Sequence, residues 1–157
     1  MGWNPIAPIT LALLAALLLA AGIEDARHRT IGHAKVLAII ALAPLFWTSI
    51  GLAPWPGMAV QAAIELGVLV LFLVPFALGW MAAGDVKLLA ALALWLPAGQ
   101  LLPALQLVAL AGGAVTLPFW IQQRRRGSRE PVEVPYGVAI AMGGLLILRE
   151  PIINQFG

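Results

Sequence analysis

The chain has 157 residues, of which 62% are hydrophobic and 10% are charged, with no cysteine and a mean hydropathy of +0.97. This composition excludes an ordinary soluble domain, thiolate catalysis, disulfides and cysteine-based metal sites, and it predicts one all-α integral-membrane domain over residues 1–157. The formal net charge of +2 comes from basic residues clustered beside apolar runs, which indicates membrane orientation and not nucleic-acid binding.

Hydropathy, together with the proline, glycine and charged residues that separate the apolar segments, predicts six transmembrane helices in one bundle. The first apolar run is predicted to be retained and not cleaved as a signal, because basic residues follow it and do not precede it. A tight turn with Pro97 separates the fourth and fifth spans, and a re-entrant hairpin is the alternative there. The spans are predicted at about residues 5–23, 35–53, 58–78, 86–102, 103–121 and 132–148.

Basic residues are distributed unevenly over the two sides of this six-span arrangement. Arg149 alone falls on one side, and all the other basic residues fall on the opposite side. Short loops rich in lysine and arginine stay in the cytoplasm. We therefore expect both termini to face outward and the number of spans to be even. The basic residues on the cytoplasmic side are Arg27, Arg29, Lys35, Lys87, Arg124, Arg125, Arg126 and Arg129.

Two carboxylates are predicted to lie at the same depth on the same side of the membrane. Asp25, in "GIEDARHRTIGH", lies just beyond the first span, and Asp85, in "AAGDVKLL", lies just before the fourth. The chain crosses the membrane twice between them, so both return to the cytoplasmic side. Either acid could be a simple interfacial or helix-capping group. Acids at membrane depth are also candidates for function, and Gly84 permits a close approach of the backbone.

A pair of neighbouring carboxylates has a defined chemistry. At about 4 Å they repel by about 4 kcal/mol at an effective dielectric of 20, so they share one proton. One acid can then protonate a carbonyl oxygen while the other activates water, as in aspartic proteases. This chemistry requires neither a cofactor nor a metal, and the spacing of His28 and His33 matches no common zinc pattern.

Three segments in this order resemble the type IV prepilin peptidase family, especially the short forms of Flp pilus (tight-adherence) systems. "AAGDVKLLAA" is similar to the family's GxGD segment, and "DARHRTIGH" keeps Asp25 and Ile31 at the spacing of its other aspartate segment. "VPYGVAIAMGG" at 134–144 is similar to its Pro-Tyr-Gly segment. The sequence departs from the family at Ala82, where the first glycine of GxGD would stand, and at Gly32 and His33, where Pro-Asn would stand.

The resemblance implies a multi-pass aspartic endopeptidase of the bacterial inner membrane, which cleaves prepilin leaders at the cytoplasmic face. Asp25 and Asp85 would be catalytic. The site would be supported by Gly84, Lys87, Pro135, Tyr136 and Gly137. Lys87 has an equally good interpretation as a positive anchor at the inner face. Longer relatives also N-methylate through a cysteine-rich domain, so this cysteine-free chain is expected only to cleave.

The partners implied are a prepilin helix within the bilayer, anionic lipid headgroups near Arg124, Arg125 and Arg126, and pilus assembly proteins. Glu65 lies inside the third span, and the span count predicts that it is remote from Asp25 and Asp85. A small proton-coupled transporter or channel subunit lined by these three acids is the alternative function. An inactive scaffold that retains the fold is a third hypothesis, because Ala82 departs from the motif.

Overall fold

The computed structural model describes residues 5–127 and 134–154. Within these ranges the chain forms six α-helices and no strand, which confirms the all-α prediction. A short π-helical turn, Pro54–Met58, leads into the third helix. The helices are α1 Ile6–His28, α2 His33–Ser49, α3 Ala59–Ala77, α4 Ala83–Ala93, α5 Ala98–Arg125 and α6 Tyr136–Asn154.

Three segments of the described chain are long and apolar enough to cross a membrane, namely α1, Pro54–Ala77 and α5. They indicate a membrane protein, and α2 is a shorter apolar helix that packs against α1 and α4. Six spans and outward-facing termini stay predictions. The predicted fourth span, 86–102, is wrong at its end: α4 has 11 residues, so it rises only about 16 Å against the ~30 Å of a hydrocarbon layer.

The short helix α4 ends inside the bundle because side chains of other helices bind its last carbonyl groups. The indole N–H of Trp47 donates to the Leu94 carbonyl at 2.9 Å. The Gln61 amide donates to the carbonyls of Leu94 and Leu96 at 3.1 and 2.9 Å. Carbonyls at a helix end that lack such donors are costly away from water. Pro97 then precedes α5 in an extended conformation.

The tryptophans have two different environments. Trp47 and Trp95 are buried, and the Trp95 indole donates to the Ile39 carbonyl at 3.2 Å. The six tryptophans lie mostly near the ends of the predicted spans, and this position predicts interfacial anchors. For Trp47 and Trp95 that prediction is wrong, because their N–H groups satisfy backbone carbonyls within the bundle. Trp55 and Trp80 are largely exposed, as an interfacial anchor would be. Trp3 lies outside the described residues.

The core of the bundle lies where α1, α4 and α6 meet. Helix α6 packs against α1, α4 and α5, while α4 also packs against α2 and α3. Each of the three central helices contributes fully buried large side chains: Leu14 and Leu18 from α1, Leu88 and Leu92 from α4, and Ile140 from α6. This packing fixes the end of α1 beside the beginnings of α4 and α6.

Basic residues surround the same end of the bundle. The Arg29 guanidinium, just after α1, lies 5.5 Å from the ring centroid of Phe119 near the end of α5. Lys35 at the start of α2 forms an ion pair with Glu24 at 2.7 Å. The ends of α1 and α5 and the beginning of α2 are therefore together, as the charge count requires. Arg129, which was part of that count, lies outside the described residues.

Candidate active site

The structure brings Asp25 and Asp85, which we term the acid pair, to one place in the bundle. Each residue is only 4% exposed. Asp25 lies in the last turn of α1 and not beyond that helix, so the predicted boundary is about one turn too early. Asp85 is the third residue of α4 and so is not its N-cap. Its carboxyl instead accepts a hydrogen bond from the Ala82 backbone, the return bond of a capping box.

The beginning of α6 supplies backbone donors to the acid pair. The Val138 amide donates to Asp25 Oδ2 at 3.3 Å. The Gly137 amide interacts with both carboxyls. Amide groups in the first turn of a helix have no intrahelical partner, and they carry the positive end of the helix dipole. The "PYG" segment therefore contributes through its backbone, with Pro135 buried directly before the helix.

Gly137 lies so close to Asp25 that no side chain fits there. A Cβ at this position would lie 2.8 Å from Asp25 Oδ2 and 2.8 Å from Ile31 Cδ1. Gly84 is nearly as restricted, since a Cβ there would lie 3.3 Å from the Ile31 Cβ. Ile31 is buried and thus separates and aligns the beginnings of α4 and α6. The three segments that resemble the peptidase family converge on this side chain.

The electrostatic environments of the two acids differ. Burial of the carboxyl, and then the charge of Asp25, raise the pKa of Asp85 to about 7. Each acid accepts two backbone amide contacts, Asp25 from Val138 and Gly137 and Asp85 from Ala82 and Gly137, but the positive charge of the Arg29 guanidinium acts on Asp25. Hydrogen bonds and positive charge favour the ionised form of a carboxyl, whereas burial disfavours it. The proton of the pair is therefore best placed on Asp85.

A cavity of about 470 Å³ opens beside the acid pair. Its walls come from the α1–α2 connection, α2, α3 and the first two turns of α4. The side chain of Lys87 lines it and is otherwise exposed. Most of the wall is apolar, including Val36, Leu37, Ile40 and Leu69. A cavity of this size and composition accommodates a segment of apolar peptide.

Glu65 lines the same cavity as Asp25 and Asp85. The prediction that this acid is remote from the pair is therefore wrong. The span count assigned Glu65 to the opposite half of the membrane, but α4 is short and α3 packs along it, so the cavity extends from the pair to the middle of α3. An ionisable residue within an apolar span was the sequence signal for this position.

Glu24 is a site residue that the sequence analysis did not identify. Its carboxylate accepts from the Gly32 amide at 2.9 Å and from Lys35 Nζ at 2.7 Å. These contacts hold the α1–α2 connection, which carries Ile31. The connection thus keeps its place although Gly32 and His33 stand where the family pattern has Pro-Asn. The sequence signal for this contact was an acidic residue, Glu24, that precedes Lys35 by eleven residues across a predicted turn.

Ala82 adopts a backbone conformation open to any residue. Its φ of −77° and ψ of 152° are extended, so the alanine in place of the first GxGD glycine is unstrained. Among residues 5–127 and 134–154, no three histidine, aspartate or glutamate side chains cluster in a way that could hold a metal ion.

Comparison with known proteins identifies one family. The sequence model of the type IV leader peptidase family matches residues 12–117, which include both members of the acid pair. No curated protein and no solved structure matches the chain.

Proposed function

Because the chain belongs to the type IV leader peptidase family, we propose that it is a membrane aspartic endopeptidase that removes leaders from type IV prepilin-like precursors. The family implies a peptidase. One observation supports the aspartic mechanism above all others: two buried carboxyls on different helices face one apolar cavity. Two acids that share a proton can activate water without a metal or a covalent intermediate.

In the proposed mechanism the two acids have different roles. Asp25, whose ionised form the Val138 and Gly137 amides and the Arg29 charge favour, is proposed to accept a proton from water while the oxygen of that water attacks the scissile carbonyl carbon. Asp85 donates its proton to the carbonyl oxygen. As the tetrahedral intermediate collapses, the C–N bond breaks. The proton taken up by Asp25 then goes to the leaving amine, and the oxygen returns its proton to Asp85.

The remaining details of the proposal rest on the resemblance. The cleaved bond follows a leader glycine at the cytoplasmic face of the bacterial inner membrane, and the Flp type is the pilus system that the short family members suggest. Cleavage without N-methylation is proposed because the chain has no cysteine. Lys87, on the cavity wall, is proposed to help set the charge state of the acid pair.

The direct test compares single Asn variants of the two acids. Purified wild-type protein in liposomes should shorten a co-reconstituted prepilin, and Asp25→Asn or Asp85→Asn should reduce kcat/KM by at least about 1,000-fold, because each removes one of two groups that act together. Glu24→Gln is the companion variant: its carboxylate holds the α1–α2 connection but lies outside the cavity, so it should reduce kcat/KM far less than either Asn variant. Processing by either Asn variant at the wild-type rate would overturn the proposal.

A proton-coupled transporter remains the second candidate, favoured by the shared cavity of Asp25, Glu65 and Asp85. That function needs the cavity to connect both sides of the membrane. Liposomes with an internal pH indicator distinguish the two functions. Proton flux that Glu65→Gln abolishes, with no cleavage of prepilin, would support transport in place of proteolysis.

A further inference from the structure

Glu65 is a cavity residue to which the proposed mechanism gives no role. We propose that Glu65 determines specificity by hydrogen-bonding a polar side chain of the substrate helix, within the first two turns after the cleaved bond. This inference rests on the proposed peptidase function and adds a recognition contact to it. The substrate helix occupies the groove between α2 and α3, with α4 as its floor.

The groove follows from how the helices pack. Both α2 and α3 pack against α4, but they make at most marginal contact with each other. The cavity lies in this gap, between Leu37 and Ile40 of α2 and Leu69 of α3, with Ala90 of α4 beneath. Leu37 is 63% exposed. A gap between two apolar helices admits a third helix from the bilayer without exposing backbone to lipid.

The hydrogen bonds at the end of α4 fix the position of Glu65 along the groove. Gln61 donates to the Leu94 carbonyl, and Glu65 lies one helical turn further along α3. The chain direction of α3 opposes that of α4 across a tight connection, so Glu65 lies beside Ala90. Ala90 is five residues from Asp85, which is about 7.5 Å along a helix. A substrate cut at the acid pair would pass Glu65 within its first two turns.

The surroundings of Glu65 require a polar partner when the groove is filled. Glu65 is half-buried among apolar cavity residues. Lys87 lines the same cavity, but among the described residues it forms no ion pair with Glu65. An apolar helix that displaces water from the groove would leave this carboxyl without a partner, which is energetically unfavourable. A polar side chain on the substrate removes that cost.

A double-mutant cycle between enzyme and precursor tests the contact. Each polar residue among the first eight after the cleaved bond is replaced by leucine in turn, and each precursor is assayed with wild-type protein and with Glu65→Leu. We expect one replacement to raise KM about tenfold with the wild type, at nearly unchanged kcat, and to have little effect with Glu65→Leu. Leu66→Ala, on the exposed face of α3, is the control and should respond like the wild type.

Equal losses for both enzymes at every position would overturn the proposed contact. So would a Glu65→Leu enzyme whose KM equals that of the wild-type enzyme for every precursor, the unaltered one included, or a loss confined to kcat. Glu65→Gln, which keeps the size and can still hydrogen-bond, should retain more of the coupling than Glu65→Leu. Cleavage by the wild type without coupling refutes only the role of Glu65, whereas absence of cleavage by the wild type refutes the peptidase function itself.

Cross-linking tests the groove independently of turnover. The chain has no cysteine, so single cysteines at Leu37 and Leu69 can be paired with a cysteine placed in the precursor helix. Both are expected to form disulfides with the precursor in the Asp85→Asn background, and a cysteine at Leu66 is expected not to. Equal cross-linking at Leu66 would place the substrate elsewhere and overturn the proposal.

Discussion

Helices α3 and α4 pack side by side and have opposite surroundings. In α4, eight of eleven residues are buried, although three of them are alanines. In α3, which is richer in large apolar residues, Val68 is the buried residue, and Leu66, Val70 and Leu71 are each more than half exposed. In lipid, an apolar side chain gains little from facing the protein, so small residues and polar contacts decide which helix lies inside.

Replacement of glycine gives the largest expected effect and compares the exposed helix α3 with the crowded start of α6, beside α4 at the acid pair. Gly137→Ala should reduce kcat/KM by more than about 100-fold, because its Cβ would lie 2.8 Å from Asp25 Oδ2 and must displace the acid. Gly67→Ala on α3 meets nothing within 4 Å and should leave cleavage within about twofold of the wild type. Rates of prepilin processing by purified proteins measure both. Similar losses for the two variants would remove the distinction.

The pH dependence of cleavage should reflect the buried end of α4. Because the pKa of Asp85 is raised to about 7, the proton that this acid is proposed to donate is present below pH 7 and is lost as the pH rises through that value. We expect kcat/KM to fall about tenfold per pH unit well above 7. A profile measured from pH 5 to 9 in liposomes checks this. A rate that still increased at pH 9 would contradict the assignment of the proton.

Truncating a leucine on each helix compares packing directly. Leu88→Ala removes a completely buried side chain and should lower the free energy of unfolding by about 2–5 kcal/mol. Leu66→Ala removes one that is 60% exposed and should cost less than about 1 kcal/mol, since lipid replaces the lost contacts. Unfolding in mixed micelles with a denaturing detergent gives both values. Equal costs would mean that α3 is covered as completely as α4.

The hydrogen bonds at the end of α4 should contribute the smallest effect. Trp47→Phe keeps the aromatic ring but removes the donor to the Leu94 carbonyl, and about 1–2 kcal/mol of stability should be lost. Trp80→Phe, at a side chain 69% exposed, is the control and should be nearly neutral. The same detergent unfolding assay applies. An unchanged stability for Trp47→Phe would show that Gln61 alone satisfies these carbonyls.

Sequence patterns predicted the acids of the site better than their surroundings. The spacing of charged residues between apolar runs placed Asp25 and Asp85 at one end of the bundle, and the structure brings them together. Sequence could not show that Gly137 acts through its backbone amide, because that depends on how α6 meets α1. It also could not identify Glu24, whose partners lie across a connection that is folded back on α1.

The errors share a physical origin. Hydropathy measures how well a segment partitions into lipid, and it predicted that α1 and α5 are long apolar helices, although α1 ends later and α5 begins earlier than predicted. Hydropathy does not show where a helix ends when side chains of other helices donate hydrogen bonds to its terminal carbonyl groups. For this reason the predicted fourth span is longer than α4. The same assumption of complete spans assigned Glu65 to the far side of the membrane. Trp47 and Trp95 were interpreted as interfacial for the same reason, since their carbonyl partners appear only in the fold.

The early end of α4 also governs the direction in which Asp85 points. Trp47 and Gln61 donate hydrogen bonds to the Leu94 carbonyl at the C-terminal end of this helix. These bonds fix the rotation of the helix about its own axis, roughly two and a half turns away from the Asp85 carboxyl. Each residue turns an α-helix by about 100°. The number of residues between Asp85 and Leu94 therefore sets the direction of the Asp85 carboxyl. That number is as strictly constrained as the identity of the acid.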